Sequence, residues 1–227
     1  MRKQLLKFPK LTGPLRAYYN KYFGEKEIHY FFKKYKKYKN KYIFYDVGAN
    51  YGIFTFLFGR LSLLTISFDP IKECIEYIKR GYIYENILLV NQAVLDEETT
   101  LKINIPVEGN EKIFGKSSIS NQFDYSETRS IQTVTLDQYL EDIKKLNPEK
   151  LFIKIDVEGS EYNVINGGTN TLSSFDTTLL IEIEKRHNKN YLKVFTKLKS
   201  LNYEAFCLIN NDLKLLSSEE DIEIYMN

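Results

Sequence analysis

The sequence predicts an α/β fold: a mainly parallel sheet flanked by helices, an antiparallel hairpin at the C-terminus, and a helical arm in front. Three observations predict it. From residue 42 onward, short apolar runs alternate with stretches of helical period, and that rhythm implies right-handed crossovers and parallel strands. The first apolar run ends in a small-residue turn that opens a helix. Charge is segregated: residues 1–41 hold thirteen Lys/Arg against two Glu, a net of +11, and the remainder holds nineteen Lys/Arg against 28 Asp/Glu, a net of −9. A near-neutral chain of +2 therefore divides into a basic, aromatic-rich arm (1–41) and an acidic domain (42–227).

Composition bounds the class. A chain of 227 residues suits one domain with an appendage. Its 43% hydrophobic and 27% charged content is ordinary for a globular protein, and 11 Gly with 5 Pro exclude a collagen-like or disordered chain. The longest uncharged apolar-rich stretch, 47–59, is far short of the ~20 residues of a spanning helix. Lys7, Pro9 and Lys10 interrupt any signal-peptide apolar segment after Met1-Arg2-Lys3. Two cysteines, Cys74 and Cys207, make no disulfide framework, so a reducing, cytoplasmic compartment is expected.

In the arm, Ile28, Phe31, Phe32 and Tyr35 recur at helical spacing between lysines, and Thr12-Gly13-Pro14 and Gly24 mark breaks. Two readings stand: a helix packed on the domain with a solvated basic face, or a helix that docks on an anionic membrane surface or a partner. Next come a buried strand at 42–47, a turn at 48–52, a helix at 53–61 and a second strand at 64–68. A helix at 71–80 has Ile71, Cys74, Ile75 and Ile78 on one face, which places Cys74 in the core; a third strand follows at 87–90. Residues 100–105 and 130–135 alternate like strands. Between them, 107–127 is polar and carries Gly109, Gly115, Ser117, Ser118 and Ser120, and reads as a loop. Residues 136–146 return to helical period, with Thr135 and Gln138 spaced as a capping box. A fourth strand spans 151–157, a short helix runs from Ser160 to a stop at Gly167-Gly168, and a fifth strand spans 179–183. Tyr191, Val194, Phe195 and Leu198 make an amphipathic helix, and 203–209 with 213–216 form a hairpin around Asn210-Asn211-Asp212.

In open α/β sheets the ligand sits at the carboxyl ends of the strands, near the point where strand order reverses. The first strand ends in Asp46-Val47-Gly48-Ala49-Asn50-Tyr51-Gly52. Small residues there let the backbone approach a ligand, and the helix behind offers free N–H groups. Asp69, at the end of the second strand, follows Asp46 by 23 residues, matching the acid expected ~20 residues on that grips ribose hydroxyls. A pyrophosphate-binding turn wants a third glycine; here only Gly48 and Gly52 are present, and the Asp46 carboxylate would repel a pyrophosphate. A cationic nucleoside, S-adenosylmethionine, fits better than a nicotinamide dinucleotide. A nicotinamide oxidoreductase is thus a weaker alternative, and a non-enzymatic scaffold presenting the arm is another.

Asp46 to Gly52, then Ser67-Phe68-Asp69-Pro70, then Ile153-Lys154-Ile155-Asp156-Val157-Glu158-Gly159-Ser160-Glu161 resemble the FkbM family of methyltransferases. Asn91-Gln92-Ala93-Val94, Ser117-Ser118 and Thr135-Leu136-Asp137 resemble its shorter motifs, and the likeness spans about 43–184. Phe68-Asp69-Pro70 departs from the family's usual Phe-Glu-Pro, and the arm lies outside the shared region. The resemblance implies a Rossmann-like class I methyltransferase fold with a mainly parallel seven-stranded sheet. It implies S-adenosylmethionine as cofactor and methyl transfer to oxygen, on a saccharide, glycan or other hydroxyl-bearing small molecule. A lipid, natural-product or nucleic-acid acceptor is the alternative, although no Asn/Asp-Pro-Pro-Tyr/Phe run is present to position a flipped base.

Roles follow from the chemistry. Asp46, Gly48, Asn50 and Gly52 are expected to hold the methionine end of the cofactor, Asp69 the ribose and Asn91 the adenine. Lys154, Asp156 and Glu158 alternate, which on a strand points all three to one face. Either they form a structural ion network, or Asp156 or Glu158 orients the acceptor hydroxyl and takes its proton while Lys154 keeps the carboxylate ionised. His187, after Glu182 and Glu184, is an exposed loop histidine, a second base or a metal ligand with Asp156 and Glu158. No Cys/His cluster has zinc spacing, and no resident metal is expected. Asp137 and Glu161 read equally as caps or ligand contacts, and Ser117 and Ser118 as part of a closing or an ordinary loop.

Overall fold

The computed structural model describes residues 8–24, 26–109, 111–119, 124–185, 188, 191–210 and 212–225. The chain forms two compact units, built from residues within 1–93, 141–154 and 176–180, and from residues within 94–140, 155–175 and 181–227.

The first unit begins with two helices, α1 (Pro9–Phe23) and α2 (Lys26–Lys36). Strand β1 (Tyr42–Val47) follows and is buried at all six positions, as expected of a strand covered on both faces. Helix α3 (Ile53–Phe58) then tightens into a 3-10 turn at Gly59–Leu61, β2 (Leu64–Phe68) leads to α4 (Lys72–Gly81), and β3 (Ile87–Val90) lies beyond. The second unit holds β4 (Ala93–Val94, at its border), β5 (Thr100–Glu108), β6 (Glu111–Lys112) and β7 (Ser126–Val134). A 3-10 turn at Leu136–Tyr139 leads into α5 (Leu140–Lys145) and back to the first unit's β8 (Lys150–Ile155). The chain continues through α6 (Glu161–Asn166), α7 (Thr169–Ser174), β9 (Thr177–Ile181), α8 (Tyr191–Ser200), β10 (Phe206–Ile209), β11 (Asp212–Leu215) and α9 (Glu219–Tyr225).

The main sheet runs β3-β2-β1-β8-β9. β1 pairs parallel to β2, and β2 parallel to β3, with Asp46 opposite Ser67 and Val47 opposite Phe68. The chain builds outward from β1 to β3 and then places β8 and β9 on the other side, so the reversal of order lies between β1 and β8. An aromatic stack covers one face of this sheet. The Phe152 ring lies 4.4 Å from Tyr35, 5.3 Å from Phe31, 5.1 Å from Phe44 and 5.2 Å from Phe58. Tyr35 and Phe31 come from α2, so the basic arm contributes to this core.

Several sequence expectations need correction. The parallel sheet holds five of the described strands, not seven. β4, β7, β5 and β6 form a separate sheet, whereas β10 with β11 form the expected C-terminal antiparallel hairpin, as a two-stranded sheet of its own. The polar stretch 107–127 is not one loop. β5 reaches Glu108, β7 starts at Ser126, and the two pair antiparallel from Thr100–Gln132 to Pro106–Ser126. Their outward residues are polar and solvated, which hid them. The fourth strand ends at Ile155, before Asp156. The short helix after Ser160 does stop at Gly167-Gly168 as expected, but a further helix, α7, not foreseen from the sequence, begins directly behind it. Asn211, in the hairpin turn, and Ser120, in the polar stretch, lie outside the described residues.

Candidate active site at the carboxyl ends of the strands

The turn after β1 is built on left-handed backbone. Gly48, Asn50 and Gly52 have φ of 74°, 50° and 74°. Glycine takes this conformation without penalty, and asparagine tolerates it better than most residues. At Gly52 a side chain is doubly excluded, because a Cβ would lie 2.7 Å from Ile78 Cγ1. The Gly48 and Ala49 N–H groups donate to the Phe68 carbonyl at 3.0 and 2.9 Å, tying the turn to the end of β2.

Asp46, at the mouth of this turn, is fully buried. Its Oδ2 accepts the Thr55 hydroxyl at 2.5 Å, and that hydroxyl lies 2.8 Å from Ser67 Oγ. Its Oδ1 lies 4.0 Å from Lys154 Nζ. Lys154 is buried too: its ammonium donates to the Gly48 carbonyl at 2.8 Å and lies 5.4 Å from the Phe54 ring centre. A buried carboxylate is tolerable when a cation and a hydroxyl meet it, and both do here. Lys154 thus reaches across the strand-order reversal to grip the glycine turn. Thr55 was not singled out from the sequence, and Ser67 entered only as the first residue of the Ser67-Phe68-Asp69-Pro70 motif, with no role given to it. The only signal for them is a hydroxyl three residues into a helix and another in register with Asp46.

Asp69 lies just beyond β2, next to the end of β1. Its Oδ2 accepts the Asn50 N–H at 2.7 Å and its Oδ1 the Ile71 N–H at 2.8 Å. Each oxygen keeps further acceptor capacity toward a ligand. Burial pushes the Asp69 carboxyl up to about 6, against the pull of the Ile71 and Asn50 N–H groups and of Lys154. Asn91, after β3, donates its amide to the Asp69 main-chain carbonyl at 3.0 Å. The buried Cys74 thiol donates to Asn50 Oδ1 at 3.8 Å. The structure therefore brings Asp46, Gly48, Asn50, Gly52, Asp69, Asn91 and Lys154 to one sheet end.

Asp156 and Glu158 belong to the second unit. Both are half-buried and follow β8 instead of lying in it, so the alternation argument stops at Ile155. Glu158 has φ of 54° and Gly159 of 107°. A glutamate held in the left-handed region stores strain of a kind that clusters at functional sites. The buried Ser118 hydroxyl donates to the Glu158 carbonyl at 2.9 Å, and its main chain bridges Asn104. Asp137 and Glu161 resolve as structural groups. The Asp137 carboxylate accepts the Asn170 and Thr171 N–H groups at 3.1 and 2.7 Å, capping α7. The buried Glu161 accepts the Gly159 N–H at 2.9 Å and the Asn188 amide. His187 lies outside the described residues. Among the described residues no cluster of three or more His, Cys, Asp or Glu is arranged to hold a metal, and no helix is long and apolar enough to cross a membrane.

Residues 46–205, well over half the chain, match the family model described as the methyltransferase FkbM domain. The chain belongs to the FkbM methyltransferase family. Among solved structures, the FkbM methyltransferase from Methylobacillus flagellatus is similar, with 15% identity and a TM-score of 0.49 over 94% of this chain and 56% of that one. The chain thus spans a little over half the length of that relative. No curated protein matches it. The FkbM match begins at Asp46, so it takes in the glycine turn, Asp69, Asn91 and the segment around Lys154, and it leaves α1 and α2 outside.

Proposed function

We propose that the chain is an S-adenosylmethionine-dependent O-methyltransferase acting on a hydroxyl, of a saccharide or glycan. Bound there, S-adenosylmethionine would supply an electrophilic methyl group on a sulfonium. The donor set suits it. Asp69 offers two carboxylate oxygens to a ribose diol, and the Gly48, Asn50 and Gly52 turn offers close backbone to the methionine end. Asp46 serves here as a positioning residue: its carboxylate, held by Thr55 and partly offset by Lys154, leaves the turn with no excess positive charge to repel a cationic ligand. Asn91 holds the Asp69 main chain and borders the adenine side. Beyond β8, Asp156 or Glu158 orients the acceptor hydroxyl and takes its proton as the methyl moves. Because alignment supplies much of such a rate enhancement, up to ~7–11 kcal/mol in favourable cases, the base need not be strong.

One observation carries this reading: buried Asp69, at the tip of the strand beside the glycine turn, holds the Asn50 N–H with one oxygen. Calorimetry with S-adenosylmethionine and S-adenosylhomocysteine tests it. Wild type should bind both, and Asp69→Ala should bind at least about tenfold more weakly, since hydrogen bonds to a charged group contribute about 1.5–3 kcal/mol. No binding by wild type, or equal binding by Asp69→Ala, overturns it. For the base, Asp156→Asn and Glu158→Gln are each expected to bind cofactor normally, and at least one should turn over much more slowly. Full turnover in both removes the acid–base role. The acceptor is tested by mass spectrometry of glycans from cells with and without the gene, read for a gain of one CH2.

A further inference from the structure

Helix α1 has two unlike faces. Pro9, Thr12, Gly13 and Ala17 are buried in the first unit. Gly13 packs so closely that a Cβ there would meet the Phe56 ring at 2.5 Å, and the Thr12 hydroxyl lies 2.8 Å from the Tyr77 hydroxyl. The other face carries the bulk: Leu11, Leu15, Tyr18, Tyr19 and Tyr22 are 63, 55, 60, 62 and 50% exposed. At about 100° per residue these five side chains fall within an arc of about 100°, with Lys10 and Lys21 on its flank. A helix that packs only on its own domain turns its large apolar residues inward; α1 turns its small residues inward and its leucines and tyrosines outward.

We propose that this outer face of α1 docks the protein on an anionic lipid bilayer, with the leucines in the acyl boundary and the tyrosines at headgroup level. Charge argues for this occupant. Residues 1–41 carry +11, and exposed Lys26, Lys33 and Lys36 extend the basic surface along α2. Tyrosine is at home in the interfacial layer, and basic side chains near a negative leaflet add attraction. A second copy of the chain would bring another +11 arm against the first and repel it. A nucleic acid would need cations at the centre of the contact, whereas none of the five stripe residues is charged. The proposal does not depend on the acceptor, and it is independent of the cofactor reading.

The test is co-sedimentation of the full chain with phosphatidylcholine vesicles, with and without about one third phosphatidylserine. Because the chain has no tryptophan, Leu15→Trp provides a single reporter. Binding is expected to the anionic vesicles only and to weaken with salt. The Leu15→Trp emission should shift to the blue and be quenched by brominated acyl chains. Leu11→Ser/Leu15→Ser/Tyr18→Ser, at exposed positions, should keep the melting temperature and lose at least about tenfold in partitioning. Three results would overturn the proposal: no co-sedimentation with anionic vesicles, binding unchanged in the triple variant, or a dimer by light scattering that the triple variant dissociates.

Discussion

At the tip of β2, Asp69 accepts two main-chain N–H groups while buried, and burial wins: its carboxyl is pushed up to about 6 from an ordinary value near 3.8. An acid with a raised native value binds its proton more tightly folded than unfolded. Its contribution to stability is therefore present below about pH 3.8 and is lost as pH rises through about 6, a change of about 3 kcal/mol for a shift of this size. Urea unfolding of wild type and Asp69→Asn at pH 4 and pH 7 measures it. The stability difference between the two proteins should move by up to that amount in favour of the variant at pH 7, and a difference that stays constant counts against it. A diol donor prefers the ionised carboxylate, so S-adenosylhomocysteine affinity in wild type should rise with pH to about 6 and then level off, and in Asp69→Asn stay flat. The spacing of Asp46 and Asp69 was legible in the sequence because consecutive parallel strands place their ends side by side. The direction of Asp46 was not: a residue count cannot show that its oxygens turn to Thr55 and Lys154.

Elements explain which of the acidic motif residues hold structure. Asp137 and Glu161 lie in the family-like motifs of the sequence, yet both satisfy main-chain N–H groups, at the start of α7 and beside the turn before α6. Asp137→Ala leaves two N–H groups of a short helix without their acceptor, and a lost cap costs about 0.5–2 kcal/mol. Chemical denaturation should show that loss, while calorimetry with S-adenosylhomocysteine should show wild-type affinity. A large loss of affinity without loss of stability would instead return Asp137 to the ligand. Strands with apolar residues on both faces, such as β1, were readable from composition alone. β5 and β7 were readable only where they alternate, because their outer halves are polar and resemble a loop until the partner strand is known. The end of β8 was invisible for the opposite reason: the alternation of Lys154, Asp156 and Glu158 continues in sequence after the backbone has left the strand.

On the scale of the molecule, the basic arm was legible as helix, and of its two readings the packed one holds for α2. Its lysines mark a solvated face, and its aromatic spacing matches either a docking helix or a packed one. The fold separates the two: α2 buries Ile28, Phe32 and Tyr35, while α1 leaves Leu11 and Leu15 exposed. Tyr35 and Phe31 stack on Phe152, and Phe32 meets Phe58 at 6.0 Å. Removing residues 1–41 would strip one wall from the aromatic cluster and expose Phe44, Phe58 and Phe152, all fully buried in the whole chain. The fragment 42–227 is therefore expected to be insoluble or to lack a cooperative unfolding transition, although it contains every residue placed at the candidate site. Phe152→Ala in the full chain isolates the same effect at one position. It should lower stability by about 3–5 kcal/mol, measured by urea unfolding, and do so without touching the glycine turn. A fragment 42–227 that melts cooperatively at the full-length temperature would show that the arm is an appendage and that the cluster closes without it.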